Sequence, residues 1–118
     1  MDHNPSALEN IHITFLHLEP SPLLEARIRE DLAKLERVDA RLTHCRVSVA
    51  RTEHRHAHGG SYEIVIDLGV PGGPIVIRHR SEPGVDAYVA VHGAFDVIRR
   101  RLDEHIRRLR GETKHHTD

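Results

Sequence analysis

The sequence predicts an α+β fold, a two-layer sandwich in the order β-α-β-β-β-α, with a four-stranded mixed sheet carrying two helices on one face. Three observations lead there. Four stretches, residues 11–18, 43–53, 62–68 and 75–80, alternate apolar and polar residues as half-buried strands do. Two others, residues 22–38 and 85–110, repeat their apolar residues at steps of three and four, which is one face of a helix. The first helix separates the first two strands, so these pair in parallel through a right-handed crossover, whereas the short links that follow turn the chain back antiparallel.

Taken in order, residues 1–10 are polar, contain Asn4-Pro5 and read as an irregular lead-in. The first strand sets Ile11, Ile13 and Phe15 on one side and His12 and Thr14 on the other. Ser21-Pro22 then opens a helix, a hydroxyl N-cap followed by a proline at the first helical position, where its missing N–H costs nothing. Leu24, Ile28, Leu32, Leu35 and Val38 form its apolar stripe, and Glu30 and Lys34 make a pair in the favourable order. In the second strand Cys45, Val47 and Val49 point inward and His44, Arg46 and Ser48 outward. Residues 54–60, HRHAHGG, break the pattern as a polar loop. Tyr62, Ile64, Ile66 and Leu68 share a side of the third strand, Val70-Pro71-Gly72-Gly73-Pro74 is a turn, and residues 75–80 form the fourth strand.

Ser81-Glu82-Pro83-Gly84 leads into the long second helix, with Asp86 as its N-cap. Tyr88, Val91, Phe95, Ile98, Leu102, Ile106 and Leu109 form the stripe; Arg100 and Arg107 lie opposite it, with Arg99, Arg101, Arg108 and Arg110 along its flanks. Such a helix runs roughly 39 Å at about 1.5 Å per residue. One face wants a core and the other can meet an anion.

A chain of 118 residues is expected to make one domain across 1–118, ordered over about 11–110 with polar tails at 1–10 and 111–118. With no Trp, two Tyr and two Phe, the core must be aliphatic. A formal net charge of −1 demands neither nucleic acid nor a membrane, yet six Arg fall between Asp96 and Arg110 against Asp96, Asp103 and Glu104. One cysteine excludes an intramolecular disulfide framework and agrees with a reducing compartment. The chain shows no apolar run of transmembrane length and no signal-peptide pattern, so a cytoplasmic location is expected.

Arginine holds phosphate through a planar fork of donors, and a helix sets several such forks along a line that can follow an RNA backbone. The aromatics Phe15, Tyr62, Tyr88 and Phe95 all fall at core positions, so recognition by shape and phosphate contact is expected instead of base stacking. His54, His56 and His58 alternate, and an extended backbone would set their imidazoles on one side, a way to offer nitrogens to zinc. A tetrahedral site needs further ligands held rigidly, and this segment reads as a loop, so no metal is assigned; near phosphate the same histidines would add positive charge in mild acid. His17 and His79, at strand ends, are expected to be structural, and His115 and His116 to lie in the tail.

His44 and Cys45 are adjacent on a strand and so point to opposite faces, which rules them out as a base and nucleophile pair. Cys45 falls on the apolar side. No glycine-rich phosphate loop precedes a helix, and Glu53, Glu63 and Asp67 are scattered, so nothing argues for an enzyme or a cofactor.

Three pieces occur in a telling order and spacing: Ser21-Pro22 opening a helix that ends in Leu32-Ala33-Lys34-Leu35-Glu36-Arg37, then Asp86-Ala87-Tyr88-Val89-Ala90-Val91, then Ile98-Arg99-Arg100-Arg101-Leu102. With them the sequence resembles the ribosome hibernation promoting factor family, which includes the ribosome-associated inhibitor proteins, over about residues 11–110. The resemblance implies a non-enzymatic protein in the messenger and transfer RNA channel of the small ribosomal subunit, touching 16S rRNA and ribosomal proteins and silencing translation in starved or resting cells. It implies no membrane or DNA partner; a second hibernation factor is a further candidate partner. Carried over by position, the rRNA contacts are Lys34, Arg37 and Arg100, with Arg99, Arg101, Arg107, Arg108 and Arg110 supplying charge from neighbouring positions. Asp31, Val97 and Glu104 stand where the family often has basic residues. Ending at Asp118, the chain resembles the short members that lack a C-terminal dimerisation domain. The alternative is a metal-responsive or protein-interaction module using His54, His56 and His58; a double-stranded RNA reader comes third, because the lysine-rich helix start of such domains is absent before Ala87.

Overall fold

Strands and helices follow one another in the order the sequence predicts, β-α-β-β-β-α. The computed structural model describes residues 10–52 and 60–115, with side chains through Gly111. Its elements are β1 (Ile11–Leu16), α1 (Pro22–Val38), β2 (Cys45–Arg51), β3 (Tyr62–Leu68), β4 (Ile75–Arg80) and α2 (Ala87–His115). The sheet order is β1-β2-β3-β4, with the first pair parallel and the other two antiparallel.

Register explains how one face becomes core. Ile13 pairs with Val47, Val47 with Ile66 and Ile66 with Ile77, so one row of branched aliphatic side chains crosses the sheet. These residues join a single cluster with Leu24, Ile28, Leu32 and Leu35 of α1 and Val91, Phe95, Ile98 and Leu102 of α2. Phe95 is the one aromatic among the buried core residues described, so the core is aliphatic as composition requires. The next row, Thr14, Ser48, Val65 and Arg78, projects to the other face, which no helix covers.

Both helices begin at the residues their caps dictate. Leu24 N donates to Ser21 Oγ at 3.1 Å, and Val89 N donates to Asp86 Oδ1 at 2.9 Å. α1 ends where Asp39, in an extended conformation, donates its N–H to Leu35 O at 3.1 Å. Asp39 then takes the backbone N–H and guanidinium of Arg41 on its carboxylate, and these hydrogen bonds hold its pKa below the usual value.

The boundaries of three elements differ from expectation. β1 ends at Leu16 because His17 sits at φ 63°, a left-handed conformation that breaks the strand; His17 is exposed, and its structural role is in the backbone. β2 is shorter at both ends, running from Cys45 to Arg51, although Thr43 and His44 still exchange backbone hydrogen bonds with Gly69. α2 runs on past Arg110 through Gly111 to His115. A helical glycine costs only about 1 kcal/mol, and with no proline following, continuing the backbone hydrogen bonds is cheaper than ending them.

The close approach of α2 to β4 depends on Gly93. A Cβ there would lie 2.7 Å from His79 Nε2, so half-buried His79 fills the space the missing side chain leaves, the structural part expected of it. No helix of the described residues is long and apolar enough to cross a membrane.

Candidate nucleic-acid interface

β1 and β4 run in the same sense, and each is followed by a helix returning over the sheet. α1 and α2 therefore lie side by side and parallel, with a groove between them. Its first part, about 110 Å³, is lined by Asp31, Lys34 and Leu35 of α1 and His92, Phe95, Asp96 and Arg99 of α2. Further along, a cleft of about 330 Å³ is lined by Val38, Asp103, Ile106, Arg107 and Arg110. On the opposite flank of α2 a third cleft, about 390 Å³, lies between Arg101, His105 and Arg108 and the β3–β4 turn at Gly72, Gly73 and Pro74.

These clefts sort the expected contact residues. Lys34 and Arg99 come together across the groove, whereas Arg37 is exposed and lines none of the three clefts. Arg99, Arg100 and Arg101 do not form one patch, since successive helical residues point about 100° apart. Arg99 turns toward α1, where its Nε lies 3.5 Å from Asp103 Oδ2. Exposed Arg100 donates from Nε to Asp96 O at 3.3 Å, and Arg101 turns toward the β3–β4 turn. Arg107 and Arg110 follow the α1 side, and Arg108 joins Arg101 on the other.

Asp31, which the sequence marks only as standing where the family often has a basic residue, is buried in the groove. Its side chain is 6% exposed; Arg27 Nε stands 3.7 Å and Lys34 Nζ 3.8 Å from Oδ1. These are ion-pair distances, too long for hydrogen bonds. Buried Oδ2 has no hydrogen-bond partner among the described residues. Burial pushes the Asp31 pKa up, and the nearby charges of Arg27, Lys34 and His92 offset only part of that. The signal lay in the stripe: position 31 falls three after Ile28 and four before Leu35, where apolar residues recur.

A charge in this position costs stability. Asp31→Asn is expected to raise stability at neutral pH by about 1 kcal/mol, because the buried atoms lose their formal charge while partly exposed Arg27 and exposed Lys34 rehydrate. The native carboxyl binds its proton at higher pH than the unfolded chain's does, so its unfavourable contribution grows as pH rises through the native value and disappears in acid. The gain from Asn is therefore present at neutral pH and vanishes below the unfolded pKa. Urea melts at neutral and acid pH measure the difference; a less stable Asn variant at neutral pH would contradict this account.

Two expectations are corrected or left aside. Tyr88 is not a core residue: it is 38% exposed, beside exposed Val89, in the first turn of α2. His54, His56 and His58 lie outside the described residues, as does His116; among the described residues no group of three His, Cys, Asp or Glu could hold a metal ion. Cys45 is fully buried and its thiol is pushed up to about 12 by desolvation, while His44 Nε2 lies 3.2 Å from Asp67 Oδ1 on the other side of the strand. A thiol so far from ionisation is a packing group.

The fold and these clefts define a class: a small two-layer α+β domain whose paired parallel helices carry an arginine-rich, interrupted surface. Residues 11–110 match the family model described as sigma 54 modulation protein / S30EA ribosomal protein, and the chain belongs to that family. It is the family of ribosome hibernation proteins that the helix segments resemble. Among solved structures, a ribosomal subunit interface protein from Coxiella burnetii superposes with a TM-score of 0.68 at 14% identity, covering 81% of this chain and 96% of its own. The N-terminal domain of Protein Y from Thermus thermophilus gives 0.66 at 21% identity, covering 80% and 97%. At these identities the likeness is one of fold. No curated protein matches the chain.

Proposed function

We propose that this protein is a non-enzymatic, cytoplasmic translation inhibitor that binds the small ribosomal subunit in its messenger and transfer RNA channel through arginines of α2. One observation carries the reading beyond family membership. Arg101, Arg107, Arg108 and Arg110 are exposed and have no carboxylate partner among the described residues. Arginines engaged in helix surface pairing would have their forks occupied; these, with no such pairing among the described residues, can donate to phosphate oxygens. Lys34 supplements them from α1 across the groove, and Arg37 contributes only through its exposed position at the end of that helix.

Sedimentation of the purified protein with ribosomes through a sucrose gradient tests this. The expected result is travel with small subunits and whole ribosomes at low salt and release as salt rises, because each neutralised phosphate adds roughly one unit of log-log salt slope. A protein that stays at the top of the gradient at low salt overturns the proposal.

A further inference from the structure

The arginines of α2 serve two different kinds of surface, and charge decides between them. In the first part of the interhelical groove Lys34 and Arg99 face Asp31 and Asp96, two cations against two carboxylates. Further along, Arg107 and Arg110 share their cleft with Asp103. The cleft on the other flank is lined by Arg101 and Arg108 and, among the described residues, by no carboxylate; exposed Glu104 of α2 lies outside the lining. A phosphate entering the first groove is repelled about as strongly as it is attracted; in the third cleft both charges attract it.

Backbone and turn chemistry shape that third cleft. Arg101, His105 and Arg108 recur at steps of four and three, so they form a row about 10 Å long on one side of the helix. His105 Nε2 lies 2.6 Å from Pro71 O; a carbonyl only accepts, so the ring donates from Nε2 and fastens the β3–β4 turn to α2 between the two arginines. Gly72 and Gly73 have φ of 90° and 121°, conformations that favour glycine. A Cβ on Gly73 would meet nothing within 4 Å, so the turn presents bare backbone to open space where a side chain would otherwise stand.

We infer that the cleft between the Gly72-Gly73 turn and the Arg101/Arg108 flank of α2 is a phosphate-binding site, and that it, in preference to the groove between the helices, receives the nucleic-acid backbone. The inference rests on the rRNA reading only for the source of the phosphate. The recognised chemistry, a phosphate oxygen taken by two guanidinium forks beside unobstructed backbone, is shared by an RNA phosphodiester and free phosphate.

Amide chemical shifts in the nitrogen-15 spectrum of the whole protein test it, with inorganic phosphate as one titrant and a short single-stranded oligouridylate lacking a terminal phosphate as the other. Shifts centred on Gly72, Gly73 and His105 with the oligonucleotide identify the RNA backbone as ligand; the same shifts with inorganic phosphate alone place a free phosphate there and sustain the site. Arg101→Ala with Arg108→Ala is expected to remove the response and to lower the salt slope of oligonucleotide binding by roughly 1.4. Arg46→Ala with Arg51→Ala, two β2 arginines outside the cleft lining, is expected to leave shifts at the turn in place. Both pairs are exposed, so an unchanged spectral dispersion verifies the fold. The site is overturned if neither titrant moves the turn, or if the largest shifts fall at Lys34 and Arg99. Ribosome sedimentation is a separate readout: a protein that binds phosphate here and ignores ribosomes sinks the ribosomal reading alone, and one that binds ribosomes undiminished by the Arg101/Arg108 change sinks this site alone.

Discussion

Replacing Arg99, Arg100 and Arg101 together by Glu is expected to weaken association with the small ribosomal subunit by about a hundredfold or more at moderate salt and to flatten its salt dependence. The three side chains point into the interhelical groove, outward, and into the β3–β4 cleft, so the change reverses a charge on every side of α2 available to RNA. Cost to the fold is small. All three residues are exposed, and the single ion pair lost, Arg99 with Asp103, is a surface pair of a few tenths of a kcal/mol. Sedimentation over a salt series, with circular dichroism as the check on folding, measures both. Binding that equals the unaltered protein's at every salt concentration would remove α2 from the interface.

Leu102→Ala is expected to do the opposite, leaving the arginines in place and removing the fold beneath them. Leu102 is fully buried on the stripe of α2 and belongs to the cluster that joins both helices to the sheet. Truncation of such a residue costs about 2–5 kcal/mol, a large part of the roughly 5–15 kcal/mol by which a domain is stable. The melting temperature should fall by roughly 8 °C or more, and the urea midpoint should drop with the m-value unchanged. Tyr88→Ala, at a position half open to water, should shift the midpoint far less. Equal losses for the two would mean that the first turn of α2 is packed as tightly as its middle.

Much of this fold was legible because its signals are local. Ser21-Pro22 and Asp86 mark helix starts through hydrogen bonds made within three residues, and the structure shows both bonds. Alternation at Cys45, Val47 and Val49 put those three residues inward, and all are buried. Tyr88 was misjudged because periodicity says which face of α2 is apolar but not how much of that face is covered. His17 and Gly111 were misjudged for a different reason: each boundary turns on about 1 kcal/mol of backbone preference, too little for residue type alone to decide it.

The candidate site divides the same way. The sequence by itself determined that α2 would be basic opposite its apolar stripe, because helical geometry turns spacing into direction at about 100° per residue. It also determined that Cys45 and His44 could not meet, since strand geometry turns adjacency into opposition. What only the tertiary structure decided is what each arginine faces. Asp31 comes opposite Lys34 and Arg99 because α1 and α2 pack in parallel, and Gly72 and Gly73 come beside Arg101 and Arg108 because the antiparallel β3–β4 pair carries its turn to the far flank of α2. Those neighbours lie far apart in the chain, and the long-range packing that joins them leaves no periodic trace in sequence. Field strength at a phosphate is set by such neighbours, a carboxylate in one cleft and bare glycine backbone in the other.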